Sequence, residues 1–195
     1  MPWPSQIDHV NAFVALAGKL HSALAAIFDD FLHRLPGSRP NEVRGILPAM
    51  IDALPAIASR VAGVQFVLAR APGLASDLLA PLRAAVTPVT VVEGRTDDVL
   101  AASDAVVTAS GTATMQAAIH ECPMVIVYRV APLTYAIGKR LVHVDTYGMV
   151  NLVAGQRVAP ELIQDDLTPA AIARETIRLL TDADLRTRTV AALRD

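Results

Sequence analysis

The run from Asp104 to Arg129 constrains this chain more than any other stretch. It reads as an apolar strand over 104–109, a turn of small residues, a helix over 112–121 and a second apolar strand over 124–128. Strands that are apolar throughout, rather than at every second residue, belong to a parallel sheet covered on both faces. Ligands of such sheets bind beyond the carboxyl ends of the strands. The turn Ala109, Ser110, Gly111, Thr112 lies at such an end. Its lack of bulk lets the backbone N–H groups that open the next helix approach an anion, with the helix dipole behind them. A diphosphate fits there. A packed α/β domain also favours small residues in a tight βα turn, so this turn alone does not decide function.

A second turn of the same kind stands earlier in the chain, in Leu35-Pro36-Gly37-Ser38-Arg39-Pro40. Gly37 supplies a flexible corner and Ser38 can cap a helix or bind phosphate. Pro40 suits a first helical position, and Arg39 offers a planar fork for phosphate oxygens. Two helix-opening turns facing one ligand make a diphosphate site a better reading than either turn does alone.

Around these turns the chain alternates helices and short apolar runs. The pattern predicts helices over 41–61, 74–85, 96–102 and 132–143, strands over 64–69 and 89–93, an irregular segment over 144–156, and terminal helices over 169–180 and 182–194. Pro48 and Pro55 are expected to kink or break the first of these helices. Before Leu35, apolar residues recur at helical spacing from Val10 to Phe31, which predicts one amphipathic helix over 10–33. The domain reading is therefore an atypical helical segment over 1–34 and a Rossmann-like domain over 35–195.

Composition narrows the function classes. With 195 residues, 53% of them hydrophobic, the chain has ample material for one core but not for two full Rossmann halves. Its 17 basic and 19 acidic residues give a formal charge of −2, which provides no broad field for a polyanion, so nucleic acid is not an expected partner. A single cysteine, Cys122, allows no internal disulfide, and its place at a strand entrance reads as structural. The five histidines lack metal-ligand spacing, and His120-Glu121-Cys122 should point in divergent directions, so no metal is expected. No run of about 18 apolar residues suggests a membrane span, and the first residues lack a basic signal-peptide start.

The order and spacing of several segments resemble the lipid-A-disaccharide synthases. These are Leu35 to Arg39 with Glu42-Val43, Asp98 to Asp104, Ala109 to Thr114, Pro123 to Arg129, Pro132 to Tyr135, Lys139 to Val142, Asn151 to Gly155, and Pro160 to Gln164. The resemblance covers roughly 35–193 and corresponds to the carboxy-terminal, donor-binding half of a GT-B glycosyltransferase. It implies UDP-2,3-diacylglucosamine as donor, 2,3-diacylglucosamine 1-phosphate as acceptor, a β-1,6 bond and release of UDP. The acceptor half, with its acidic base, is expected to precede Leu35 and is not found here. Nor is the buried strand that in this family leads into the Leu-Pro-Gly-Ser-Arg turn.

Carried over residue by residue, the resemblance places Gly37, Ser38, Arg39, Ser110, Gly111, Thr112 and Asn151 around the donor's diphosphate and sugar. Gln116 stands where relatives commonly have a glutamate that accepts from both ribose hydroxyls. An amide keeps one acceptor oxygen and loses the charge. Tyr128, Arg129 and Gln164 rank second. No catalytic base is assigned to this half. Arg39 and the helix after Gly111 would stabilise charge developing on the departing diphosphate, without a metal. Gly148-Met149-Val150 replaces the Ser-Leu-Pro common before Asn151, which suggests a looser loop. Acylated substrates imply a cytoplasmic protein peripheral to the inner membrane, with Lys139, Arg140 and His143 as a candidate lipid contact. Relatives exchange carboxy-terminal segments in dimers, so a homodimer is a further expectation. Two other readings stand beside this one. The first is another UDP-sugar transferase of GT-B type, such as the peptidoglycan enzyme, against which the 151–155 and 160–164 segments argue. The second is a non-catalytic, truncated UDP-binding remnant.

Overall fold

The computed structural model describes residues 23–28, 39–129 and 146–194, with backbone alone for 23–28 and Arg39. Its strands are β1 (Ala23–Phe28), β2 (Gln65–Arg70), β3 (Thr90–Glu93), β4 (Ala105–Ala109), β5 (Met124–Tyr128) and β6 (Glu161–Ile163). Its α-helices are α1 (Arg39–Ala58), α2 (Thr96–Ala101), α3 (Thr112–Ile119), α4 (Met149–Ala154), α5 (Pro169–Thr181) and α6 (Ala183–Arg194), with 3-10 helices at Ser76–Ala84 and Gln164–Asp166. The strands form one wholly parallel sheet in the order β3-β2-β1-β4-β5-β6. This is the doubly wound order, with its reversal between β1 and β4.

The apolar strands divide their side chains between two cores, because successive residues point to opposite faces. Phe66, Leu68, Val107, Val125 and Val127 join Ile46, Leu47 and Ile57 of α1 with Ile172 and Leu179 of α5. Val67, Ala69, Val106, Met124 and Ile126 join Val99 and Leu100 of α2, Ala113 and Ala117 of α3 and Val150 of α4. Leu68, Leu100, Met124 and Ile126 are at most 1% exposed. Each such side chain contributes roughly 1.5–3 kcal/mol over its exposed state. Among the described residues no helix is long and apolar enough to cross a membrane.

Three expectations are corrected. Residues 23–28, expected within a long helix, form β1, which pairs with both β2 and β4. Ladders on both sides satisfy its backbone groups, and this non-local pairing overrides the helical spacing of its apolar residues. The strand that the resemblance called for is therefore present. The rest of 10–33, and the helix expected over 132–143, lie outside the described residues. The segment expected to be irregular over 144–156 contains α4, and β6 follows it at the sheet edge. Finally, α1 runs unbroken from Arg39 to Ala58 through Pro48 and Pro55. Both prolines are exposed, so the carbonyls of Arg44 and Ile51 that lose a helical donor lie on the solvent side.

The terminal helices open where expected. Thr168 caps α5 by accepting the Ala171 N–H at 3.2 Å, and the Asp182 carboxylate accepts the Leu185 N–H at 2.8 Å ahead of α6. Helix α5 packs on β4 and β5, and α6 packs against α5 and α3. Arg186 of α6 pairs with Asp104 at 2.8 Å and Arg194 with Glu121 at 2.6 Å. His120 meets Asp97 at 3.0 Å while Cys122 is buried, so the three neighbours His120, Glu121 and Cys122 do diverge. Burial pushes the Cys122 thiol up to about 12, as befits a packing residue rather than a nucleophile.

Candidate ligand site at the strand-order reversal

Where the strand order reverses, successive connections leave adjacent strands toward opposite faces of the sheet and open a crevice between them. Here those strands are β1, continuing to α1 on one face, and β4, continuing to α3 on the other. Ile27 of β1 is level with Thr108 of β4, one residue before the end of each strand. The two turns singled out in the sequence are the connections that follow. Gly37 and Ser38 lie outside the described residues. Arg39 is the first residue of α1, and its side chain likewise lies outside them.

The second turn is resolved in detail. Gly111, at φ 141° and ψ −157°, occupies a backbone region that only glycine adopts readily. An added Cβ would meet nothing within 4 Å, so the requirement for glycine is conformational and the face above it is open. Thr114 folds back on the Gly111 carbonyl, with Oγ1 donating at 2.7 Å and its N–H at 3.1 Å. No side chain caps α3. The N–H groups of Gly111, Thr112 and Ala113 have no acceptor among the described residues. Three free amides and the positive end of the α3 dipole thus face the crevice.

One turn into α3, the Gln116 Oε1 atom is buried without a hydrogen-bond partner among the described residues. A buried acceptor left unmatched costs roughly 1–3 kcal/mol, which a donor from a ligand would recover. This is the position that the sequence marked for a ribose contact.

Ser110 is engaged within the domain. Its N–H donates to the Val127 carbonyl at 3.1 Å and its hydroxyl to the Tyr147 carbonyl at 3.0 Å, so it offers an anion no donor. Asn151 is engaged as well. It is 1% exposed; Nδ2 donates to the Ala159 carbonyl at 2.8 Å and to Glu161 at 2.7 Å, while Oδ1 accepts the N–H groups of Val158 and Ala159 at 2.8 and 2.9 Å. Two donors and two lone pairs are the whole capacity of an amide, and none remains for a sugar hydroxyl.

Of the second-ranked residues, Arg129 neither contacts the crevice nor faces solvent. Its guanidinium donates to the carbonyls of Gly45 at 3.0 Å, Gln164 at 3.2 Å and Leu167 at 2.9 Å. It thereby bolts α1 to β5 and to the segment after β6. Gln164 presents its carbonyl from a left-handed backbone, φ 52°, uncommon for a residue with a side chain. Arg70, at the end of β2, is also engaged, with the Leu74 carbonyl and with Glu93. Tyr128 is half-buried; desolvation first, and then the nearby Glu42 carboxylate, hold its phenol above the ordinary value, so it stays a neutral hydroxyl.

The residue that sequence reasoning missed is Glu161. Its carboxylate accepts the N–H groups of Tyr147 and Gly148, both at 2.8 Å, besides the Asn151 amide. Gly148 is pressed so closely against β5 that an added Cβ would lie 2.4 Å from Ile126 Cδ1 and 3.1 Å from Glu161 Oε1. The loop expected to be loose is therefore pinned. Only the Pro-Glu-Leu-Ile-Gln segment hinted at this residue, and it gave no role for the carboxylate.

A family model described as lipid-A-disaccharide synthetase matches residues 23–194, from the start of β1 onward. The lipid-A-disaccharide synthase of Geobacter sulfurreducens is 44% identical over 159 residues, 81% of this chain and 41% of that protein. The corresponding protein of Nitrosococcus oceani is 42% identical over 153 residues, 78% of this chain and 40% of that one. The chain thus spans about two fifths of the length of these curated relatives. Among solved structures, the calicheamicin glycosyltransferase CalG4 superposes with a TM-score of 0.54 at 20% identity, covering 90% of this chain and 39% of that one. The ADP-heptose LPS heptosyltransferase II of E. coli gives 0.52 at 17% identity, covering 94% and 54%. At such identities the likeness is one of fold, the GT-B arrangement.

Proposed function

The chain belongs to the lipid-A-disaccharide synthetase family, and from that premise we propose that it holds the sugar-nucleotide donor of a lipid A glycosyltransferase. The donor is UDP-2,3-diacylglucosamine, and its diphosphate lies on the free amides of Gly111, Thr112 and Ala113. The observation that carries this reading is the uncapped N-terminus of α3 opening at the reversal point of the sheet. Arg39, at the start of α1, supplies a guanidinium to the same diphosphate, and the orphaned Gln116 oxygen accepts a ribose hydroxyl.

The reaction is displacement at the anomeric carbon, with UDP leaving and the 6-hydroxyl of 2,3-diacylglucosamine 1-phosphate attacking. Negative charge grows on the diphosphate as the bond breaks. The α3 amides are preorganised to meet it, with Arg39 adding its charge, so they act more strongly on the transition state than on the bound donor. The base that takes the hydroxyl proton belongs to the part of the relatives that this chain does not match. Acylated substrates place the reaction at the cytoplasmic surface of the inner membrane, with the protein peripheral to it.

Gln116 favours a second reading, UDP binding without turnover. A neutral amide in place of the family's glutamate offers the ribose one acceptor oxygen and no charge. Calorimetric titration of UDP into the purified chain tests the site. Binding is expected, and Arg39→Ala should weaken it by about tenfold or more, the loss of one charge-assisted contact. A chain that ignores UDP, or an Arg39→Ala variant that binds it as well as the parent, overturns the assignment.

A further inference from the structure

We propose that Glu161 is a positioning residue for the donor site, fixing the anion-binding turn through Tyr147 and Ser110. The inference rests on the donor-site reading above, in that the turn it fixes is the one assigned to the diphosphate. The contacts form one continuous path. Glu161 on β6 accepts the N–H groups of Tyr147 and Gly148 at 2.8 Å, and the Tyr147 carbonyl accepts the Ser110 hydroxyl at 3.0 Å. Ser110 is the residue immediately before Gly111, and its own N–H is held by Val127. Pinned from β5 and from the Tyr147 carbonyl, Ser110 fixes the direction in which the Gly111 and Thr112 amides point.

The geometry gives this carboxylate work beyond holding a loop. A helix as short as α4, six residues, has little stability of its own, so its placement depends on what anchors its first turn. Asn151, the other anchor, hydrogen-bonds the same Glu161 oxygen that receives Gly148. All four donor groups in this corner therefore depend, directly or through one bond, on one side chain. A glutamine at 161 has a single acceptor oxygen, and its NH2 would oppose a backbone N–H. The Tyr147 carbonyl would shift, and the Ser110 hydroxyl would lose its acceptor beside the turn.

The test is a double-mutant cycle on the full chain with UDP as the probe. Glu161→Gln should raise the UDP dissociation constant by about tenfold, the loss expected for a charge-assisted hydrogen bond, and Ser110→Ala, which loses a neutral one, by severalfold. The double variant should bind no more weakly than the weaker single variant, because both changes cut one path. A role confined to stability would lower the unfolding midpoint of Glu161→Gln while leaving UDP affinity unchanged or the two effects additive, and either result overturns the proposal. A second readout needs no ligand. The amide resonances of Gly111 and Thr112 should move in Glu161→Gln relative to the parent. If the parent chain does not take UDP, the donor reading fails on its own account. Unmoved Gly111 and Thr112 signals would then overturn the path from Glu161 independently.

Discussion

Two helix N-termini lie close together in this domain and have opposite fates. Just before α4 the amides of Tyr147 and Gly148 are stoppered by the chain's own carboxylate, Glu161. At α3 the amides of Gly111, Thr112 and Ala113 have no acceptor among the described residues, and glycine holds the entry in a conformation other residues resist. Both ends carry the same partial positive charge, so the dipole alone does not distinguish a ligand site from a structural corner. What distinguishes them is whether the sequence supplies its own anion.

The contrast breaks most visibly at the closed corner. Asn151→Ala removes four hydrogen bonds from a residue 1% exposed and leaves the Val158 and Ala159 groups without partners. It should cost about 4 kcal/mol, at roughly 1–3 kcal/mol for each buried group left unmatched. Urea unfolding measures this, and a loss under about 1 kcal/mol would show that the corner is not closed in solution. The open corner should respond through affinity more than through the fold. Gly111→Ala meets no steric obstacle, yet it must adopt a glycine-only backbone at about 1–3 kcal/mol or swing the amides away. UDP affinity is expected to fall about tenfold or more with the sheet intact, read by titration beside circular dichroism. Retained affinity would remove Gly111 from the site. The smallest effect sharpens the comparison rather than breaking it. Gln116→Glu gives the orphaned acceptor a charge and a second oxygen, so UDP should bind severalfold more tightly, consistent with the greater strength of charge-assisted bonds. An unchanged or weaker affinity would mean that Gln116 does not face the ribose.

The sequence disclosed elements and sites unevenly, for physical reasons. Strands β2, β4 and β5 were legible because strands buried on both faces must be apolar throughout, a local signature. Ala23–Phe28 was not, because its apolar residues fit helical spacing and its pairing partners begin at residue 65 and residue 105. Helix α4 and strand β6 were too short to show a period, and the carboxylate that organises them lies 13 residues beyond Gly148. Within the turn, the glycine entry to α3 was legible because it is a matter of backbone and local. Ser110, Arg129 and Asn151 were assigned to a ligand because a polar side chain advertises its capacity, not its partner. The partners are 37 residues away for Ser110 and 84 for Arg129 at Gly45. Even the near partners of Asn151 lie on or just before a strand that the sequence did not reveal.

The bolt made by Arg129 has a consequence for how this domain can drift in evolution. Because the guanidinium grips three main-chain oxygens, the letters written at Gln164 and Leu167 are not what it reads; a change there leaves the gripped atom in place so long as the chain keeps its path. At Gly45 a methyl group would touch the arginine's own stem, 3.4 Å from Arg129 Cδ. Descendants of this fold can therefore keep the grip while the gripped letters change, within the limits that a left-handed backbone sets at Gln164 and core burial sets at Leu167.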